Sequence, residues 1–502
     1  MFKANPPEHV NVLIVGAGIS GIGAAFHLQD KTDKSYAILE ARDSMGGTWD
    51  LFRYPGIRSD SDMHTLGFRF RPWAKDDSIA DGASILSYVK ETAAEYGIDR
   101  KIRYGHRVVR ASWLTDDARW TVEVERADGG EKVLLTCDFL FAASGYYSYE
   151  EGYTPELPGT GEFGGRIVHP QAWPEDLDYA GKRVVVIGSG ATAVTLLPSM
   201  ADTAGHVTML QRSPSYVLSL PREDPVQQKL ERFLPKRAVY AAVRWKNIAV
   251  HSGFYQLSRR KPDRVRAMIR GAAKKQLPEG YPVDTHFKPR YDPWDQRLCM
   301  VPNGDLFRAI RKGTASIVTD RIETFTPTGI RLESGQELEA DIVVTATGLD
   351  LQLFGGAELS VDGEKVALPE TMAYKSMMLS GVPNFAFAIG YTNASWTLKV
   401  DLVAEYMCRL LNHMDRRGKR IAVAENDDPS VTEEPLIDFQ SGYVQRSIHK
   451  LPHQGSKAPW KLRQNYPRDL VTLRFGRVTD SAVTFSNPPK QRVGSDEVPL
   501  AA

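Results

Sequence analysis

Apolar residues in this chain gather into short β-branched runs, and two of these runs end on glycine in the same way. Val12-Leu13-Ile14-Val15 leads into Gly16-Ala17-Gly18-Ile19-Ser20-Gly21, and Val184-Val185-Val186-Ile187 leads into Gly188-Ser189-Gly190-Ala191-Thr192-Ala193. Each is followed by a helical stretch. A continuous apolar run of four residues closed by a tight turn predicts a strand buried on both faces, as in a parallel sheet. Between the two runs, Ile85 to Tyr96 has helical spacing. Arg107 to Thr136 alternates, as in Trp120-Thr121-Val122-Glu123-Val124, with Asp128-Gly129-Gly130 as a turn, and predicts an antiparallel meander. Glu150 to Gly165, rich in Gly, Pro and acidic residues, reads as a domain crossing. Pro221 to Pro289 is amphipathic and helical. Strand runs return at Ile317-Val318 and at Ile342 to Thr345, a long helix fits Lys399 to Met414, and the chain beyond Glu425 is loop-rich and Pro-punctuated.

The repeated strand, glycine turn and helix predict an α/β protein with two Rossmann-like dinucleotide-binding domains. In Gly16-x-Gly18-x-x-Gly21 the first glycine allows the turn, the second admits a pyrophosphate to the backbone, and the third lets helix pack on strand. The helix N-terminus adds amide donors. Glu40 ends the next apolar run, Tyr36 to Leu39, where a carboxylate accepts ribose hydroxyls and repels a 2′-phosphate, so this site suits FAD or NAD(H). Gly188-x-Gly190-x-x-Ala193 repeats the design, with Thr192 in the same loop. Its next strand, Val207 to Leu210, leads into Gln211-Arg212-Ser213, and Arg212 and Ser213 can hold a 2′-phosphate. FAD at the first site and NADPH at the second is the resulting expectation. The expected segments are an FAD domain over 1–149 and 351–502, an NADPH domain over 150–220 and 290–350, and a helical insertion over 221–289.

Composition narrows the chemistry. The 502 residues carry 63 Lys+Arg against 62 Asp+Glu, a net charge of +1, which argues against a nucleic-acid partner. Cys137, Cys299 and Cys408 are far apart, so neither a zinc site nor a dithiol centre is expected, and a reducing, cytoplasmic setting fits. Val10 to Leu28 lacks Lys, Arg, Asp and Glu, but its glycines and its want of a basic flank favour a buried strand, turn and helix over a membrane span or signal peptide. Residues 499–502 match no retention or lipidation signal. The basic stretch Arg259, Arg260, Lys261, Arg264, Arg266, Arg270, Lys274 and Lys275 reads as a solvated helix face, with membrane-surface contact the less favoured reading.

Two further stretches carry a family likeness. Gly46-Gly47-x-Trp49-x4-Tyr54-Pro55-Gly56-x3-Asp60 and Phe163-x-Gly165-x3-His169-x3-Trp173-Pro174 resemble the motifs of type I Baeyer–Villiger monooxygenases, the second being their diagnostic fingerprint. The likeness runs over nearly the whole chain. It implies that NADPH reduces FAD, that O₂ forms a C4a-peroxyflavin, and that this oxidises a ketone to an ester or lactone, or a thioether to a sulfoxide. It also implies Arg297 as the active-site arginine and Asp60 as the carboxylate that positions it. Gly47, Thr48 and Trp49 are then expected against the flavin. Phe163, Gly165, His169 and Trp173 are expected to form a hub between the nucleotide domains, and Ala346-Thr347-Gly348 a linker back to the FAD domain. No metal is expected. Gln296 departs from the pattern, since a Lys often stands there and helps hold the 2′-phosphate; Arg212 is left with more of that task. Two rival readings are an N- or S-hydroxylating flavin-containing monooxygenase, disfavoured by the fingerprint, and a non-enzymatic redox sensor, disfavoured by the Asp60 and Arg297 pair.

Overall fold

The structure, a computed structural model, describes residues 7–489; the C-terminal residues 499–502 lie outside them. The uncharged stretch from Val10 to Leu28 forms strand β1 (Glu8–Val15) and helix α1 (Ile19–Lys31), joined by the first glycine turn. No helix among the described residues is long and apolar enough to cross a membrane.

The sheet around β1 includes β2 (Tyr36–Leu39), β3 (His106–Leu114), β4 (Arg119–Arg126) and β5 (Val133–Ala142), with helix α2 (Gly82–Glu95) between β2 and β3. β1 pairs in parallel with β2 on one side and β5 on the other. β3, β4 and β5 form the antiparallel meander that the alternation predicts. β1 and β2 read as unbroken apolar runs because both faces are covered: Val12, Leu13, Ile14, Ile38 and Leu39 are all essentially inaccessible.

The second sheet comprises β6 (Arg166–Val168), β7 (Arg183–Ile187), β8 (His206–Gln211), β9 (Ala315–Thr319) and β10 (Ile342–Thr345), in the order β9-β8-β7-β10-β6 and parallel throughout. Helix α3 (Ala191–Met200) follows the second glycine turn. Residues 221–289 are dominated by α4 (Lys236–Arg260) and α5 (Pro262–Gln276). α4 reaches across to the first sheet's side of the molecule. There Arg244 donates to the Gly67 carbonyl at 3.0 Å and Asn247 to the Asp62 carboxylate at 2.8 Å. On the basic stretch, Arg259 pairs with Asp295, Arg266 with Asp263 and Asp292, and Arg270 with Asp284.

After β10 the chain returns to the first sheet. Strand β11 (Phe385–Phe387) adds in parallel to β5, and α6 (Trp396–Arg417) packs against α1. The loop-rich final stretch does hold structure that its sequence hides. Ile421–Ala424 pairs with Val483–Ser486, and Leu470–Phe475 forms a short π-helix.

Candidate active site

Both glycine turns open onto one cavity of about 590 Å³. Ligands of open α/β sheets bind beyond the carboxyl ends of the strands, and this cavity lies beyond β1 and β7 alike. Its wall includes Gly18, Gly47, Thr48, Trp49 and Asp60 from the first part of the chain. Gly188, Gly190, Thr192, Arg212 and Ser213 come from the second turn and the end of β8, with His169 and Arg297 between.

The glycines of each turn divide into two kinds. Gly16 (φ +105°) and Gly188 (φ +134°) occupy backbone conformations that disfavour side chains, and a Cβ on either would meet a carbonyl oxygen, of Ala143 at 2.7 Å and Ala346 at 2.3 Å. A Cβ on Gly21 would sit 2.0 Å from the Gly16 carbonyl. These three serve the fold itself. Gly18 and Gly190 cap their helices with extended φ near −80°, a conformation open to any residue. A Cβ on Gly190 would meet nothing within 4 Å, and one on Gly18 only ordinary contacts with Gly47. Neither packing nor backbone demands glycine there, so bareness facing a cavity fits a group that approaches the helix N-terminus from outside the protein.

Glu40 also holds the turn itself. It is 7 % exposed, and its two oxygens accept the backbone amides of Ala17 at 2.8 Å and Arg42 at 3.0 Å. It fastens the glycine turn and is not part of the cavity wall, and only its remaining lone pairs are free for a ribose. Burial pushes its carboxyl above the ordinary range, against those amides. Gly47 caps a short helix, where the Thr48 hydroxyl meets Tyr147 at 2.7 Å. Arg212 and Ser213 are exposed residues of the cavity wall.

Arg297 and Asp60 are brought together from 237 residues apart in the sequence. The Asp60 Oδ2 accepts from Arg297 Nε at 2.7 Å and Nη2 at 2.6 Å. The pair is half-buried, with side chains 37 % and 28 % exposed. Asp60 holds the guanidinium even more firmly protonated than usual, ahead of the opposing effect of burial. Tyr146, Tyr443 and Trp396 share this part of the wall, with Trp396 stacked on Tyr146 at 5.1 Å.

The fingerprint residues separate into wall and support. The His169 Nδ1 accepts the Gln171 amide at 3.2 Å, while its Nε2 is buried without a partner. Burial lowers its pKa, which keeps it neutral near pH 7. Phe163 is buried against Phe325, and a Cβ on Gly165 would strike the Asp341 carbonyl at 2.4 Å. Trp173 packs on the core beneath the second sheet and does not reach the cavity. Two wall residues carry no individual signal in the sequence reading. Arg58 pairs with Asp305 at 2.5 Å and leaves Nη2 buried and unpartnered, and Arg446 lies over the Tyr153 ring at 3.4 Å. Arg58 falls at an unspecified position of the Tyr54 to Asp60 motif, so a charged residue inside it was the available clue.

Cys299 also lines the cavity, alone. Burial pushes its thiol up to about 12, and all three cysteines are free and buried, which removes disulfide chemistry from the site.

An α/β protein with two glycine turns facing one cavity has the layout of a protein that binds two dinucleotides side by side. The family described as pyridine nucleotide-disulphide oxidoreductase matches residues 13–257. The FAD-containing monooxygenase EthA of Mycobacterium tuberculosis is 59% identical over 484 residues, 96% of this chain and 99% of the relative. EthA of Mycolicibacterium smegmatis is 56% identical, covering 95% and 97%. A solved oxidized steroid monooxygenase bound to NADP superposes with a TM-score of 0.74 at 21% identity, covering 95% of this chain and 100% of that one. The chain belongs to the family of FAD-containing monooxygenases that includes EthA.

Proposed function

We propose that this enzyme uses NADPH and O₂ to convert ketones to esters or lactones and thioethers to sulfoxides. The observation that carries this is the Arg297–Asp60 pair standing in the same cavity wall as both glycine turns. FAD belongs at the first turn, with Gly18, Gly47, Thr48 and Trp49 around it, and NADPH at the second, with Gly190, Thr192, Arg212 and Ser213. The bare Gly18 and Gly190 and the orphaned His169 Nε2 support that fit. The segments 1–149 and 351–502 then hold FAD, 150–220 and 290–350 hold NADPH, and 221–289 is the insertion.

Bound FAD supplies the activation of O₂. The protein's part is electrostatic and geometric. Arg297, charged at every working pH, places a fixed cation beside the developing negative charge. Asp60 grips Nε and Nη2 through one oxygen, setting the plane of the guanidinium while leaving Nη1 free of this carboxylate. Tyr146 and Trp396 supply an aromatic wall that keeps water sparse, which strengthens the charge interaction. His169 stays neutral and acts as a structural link near the cavity.

Arg297→Ala tests the reading. The variant should bind FAD and be reduced by NADPH at a near wild-type rate, yet form no ester from a ketone. Ester formation at the wild-type rate refutes the role of Arg297. Sulfoxide without ester from the wild-type enzyme would replace the reading by S-oxygenation alone.

A further inference from the structure

A second cavity of about 430 Å³ lies against α4, and nothing in the reaction above uses it. Four arginines line it, Arg69, Arg237, Arg244 and Arg474, and no acidic side chain does. Arg69 and Arg474 share Glu405, at 2.7 and 2.9 Å. The other two are unmatched. Arg244 is 5 % exposed, has no carboxylate within 4.0 Å, and donates only through Nη1, to the carbonyls of His64 and Gly67 and the Tyr240 hydroxyl. Asp62 and Asp401 act on its charge only from a distance: their oxygens hydrogen-bond Thr65 and Asn247, and His27, and neither contacts the guanidinium. A buried guanidinium with unused donors facing an open cavity calls for an anion.

The rest of the wall is apolar and aromatic. Tyr240, Ile248 and Tyr466 are buried, while Trp245 is half exposed at the rim. Ile248 and Tyr466 also wall a much smaller cavity of mixed polar and apolar lining, which shares Ala394 with the main cavity wall. Leu470 and Arg474 of the π-helix Leu470–Phe475, a rare element often found at functional sites, complete the lining.

We propose that this cavity binds a free amphipathic anion, a carboxylate or phosphate head joined to an apolar chain. The head sits on Arg244 and Arg237, and the chain lies against Tyr240, Ile248 and Tyr466. The site stands independently of the oxidation chemistry, because none of its arginines belongs to the main cavity.

The test is calorimetric titration of the FAD-loaded enzyme with decanoate below its micellar concentration, beside acetate and decan-1-ol. Decanoate should bind at least tenfold more tightly than either control. Arg244→Gln should lower its affinity at least tenfold, and Ile248→Trp should abolish binding by filling the cavity. Because Arg244 also holds backbone carbonyls, Arg237→Gln, on an exposed side chain, provides a second charge variant with an expected loss of several-fold. Arg297→Ala, in the main cavity, should leave decanoate affinity unchanged. Equal binding of decan-1-ol, full affinity in both arginine variants, or binding to anionic phosphatidylglycerol vesicles without binding of monomeric decanoate would each overturn the proposal.

Discussion

Replacing Gly190 by alanine separates what the second glycine turn does for the fold from what it does for a ligand. The added methyl meets no protein atom within 4 Å, and the residue's φ of −80° is open to alanine. Two small effects oppose each other. Alanine is a poorer helix N-cap than glycine by about 1 kcal/mol, and the loss of unfolded-state freedom returns about 0.4–1 kcal/mol. Net stability should therefore move by less than about 1 kcal/mol, on the order of 1 °C in melting temperature for a chain of this size. Nucleotide affinity should respond differently. The methyl projects where a pyrophosphate must approach the amides at the start of α3, and each charged hydrogen bond lost costs about 1.5–3 kcal/mol. That corresponds to roughly 10- to 150-fold in dissociation constant. The assay pairs thermal melting with NADP⁺ titration of the FAD-loaded enzyme. Gly188→Ala is the opposite control: at φ +134° and 2.3 Å from the Ala346 carbonyl, it should lose at least about 2 kcal/mol of stability. Gly190→Ala with unchanged NADP⁺ affinity, or with a melting point as low as that of Gly188→Ala, would refute the division of roles.

Three further outcomes are expected. Arg212→Ala should lower kcat/KM for NADPH by tenfold or more and leave NADH almost unaffected, as steady-state kinetics with both donors would show; equal losses would remove the 2′-phosphate assignment. Asp305→Asn should cost about 1–3 kcal/mol in denaturant unfolding, because Arg58 is 12 % exposed and would keep its charge without a partner. Burial lowers the pKa of His64, His169 and His286, so the unfolded chain binds more protons below about pH 6.5 and stability, full above that pH, should fall as pH drops; melting curves from pH 8 to 5 should show it, with a shallower fall in His169→Gln.

The chain's local regularities were readable from the sequence because they rest on short-range physics. A strand buried on both faces must be apolar at every position, and a turn at positive φ needs glycine, so Val12 to Gly21 and Val184 to Ala193 announced their elements without any knowledge of neighbours. The meander's alternation and the helical spacing of the insertion were legible for the same reason. The resemblance in the motifs added Arg297 and Asp60 by position. That the two residues meet, sharing one carboxylate oxygen at 2.6 and 2.7 Å, is a matter of tertiary structure. So is the fate of Glu40, whose spacing suggested a ribose ligand but whose oxygens first satisfy two backbone amides that burial would otherwise strand. The short elements after Glu425 had no legible signal, since Val483–Ser486 is not an unbroken apolar run and a single π-helical turn is too brief to show a period. Arg58, Tyr443 and the arginines around Arg244 were equally silent. A charged or aromatic side chain looks the same in sequence whether it faces water or a cavity, and only the packing of α4 across the first sheet's side decides which.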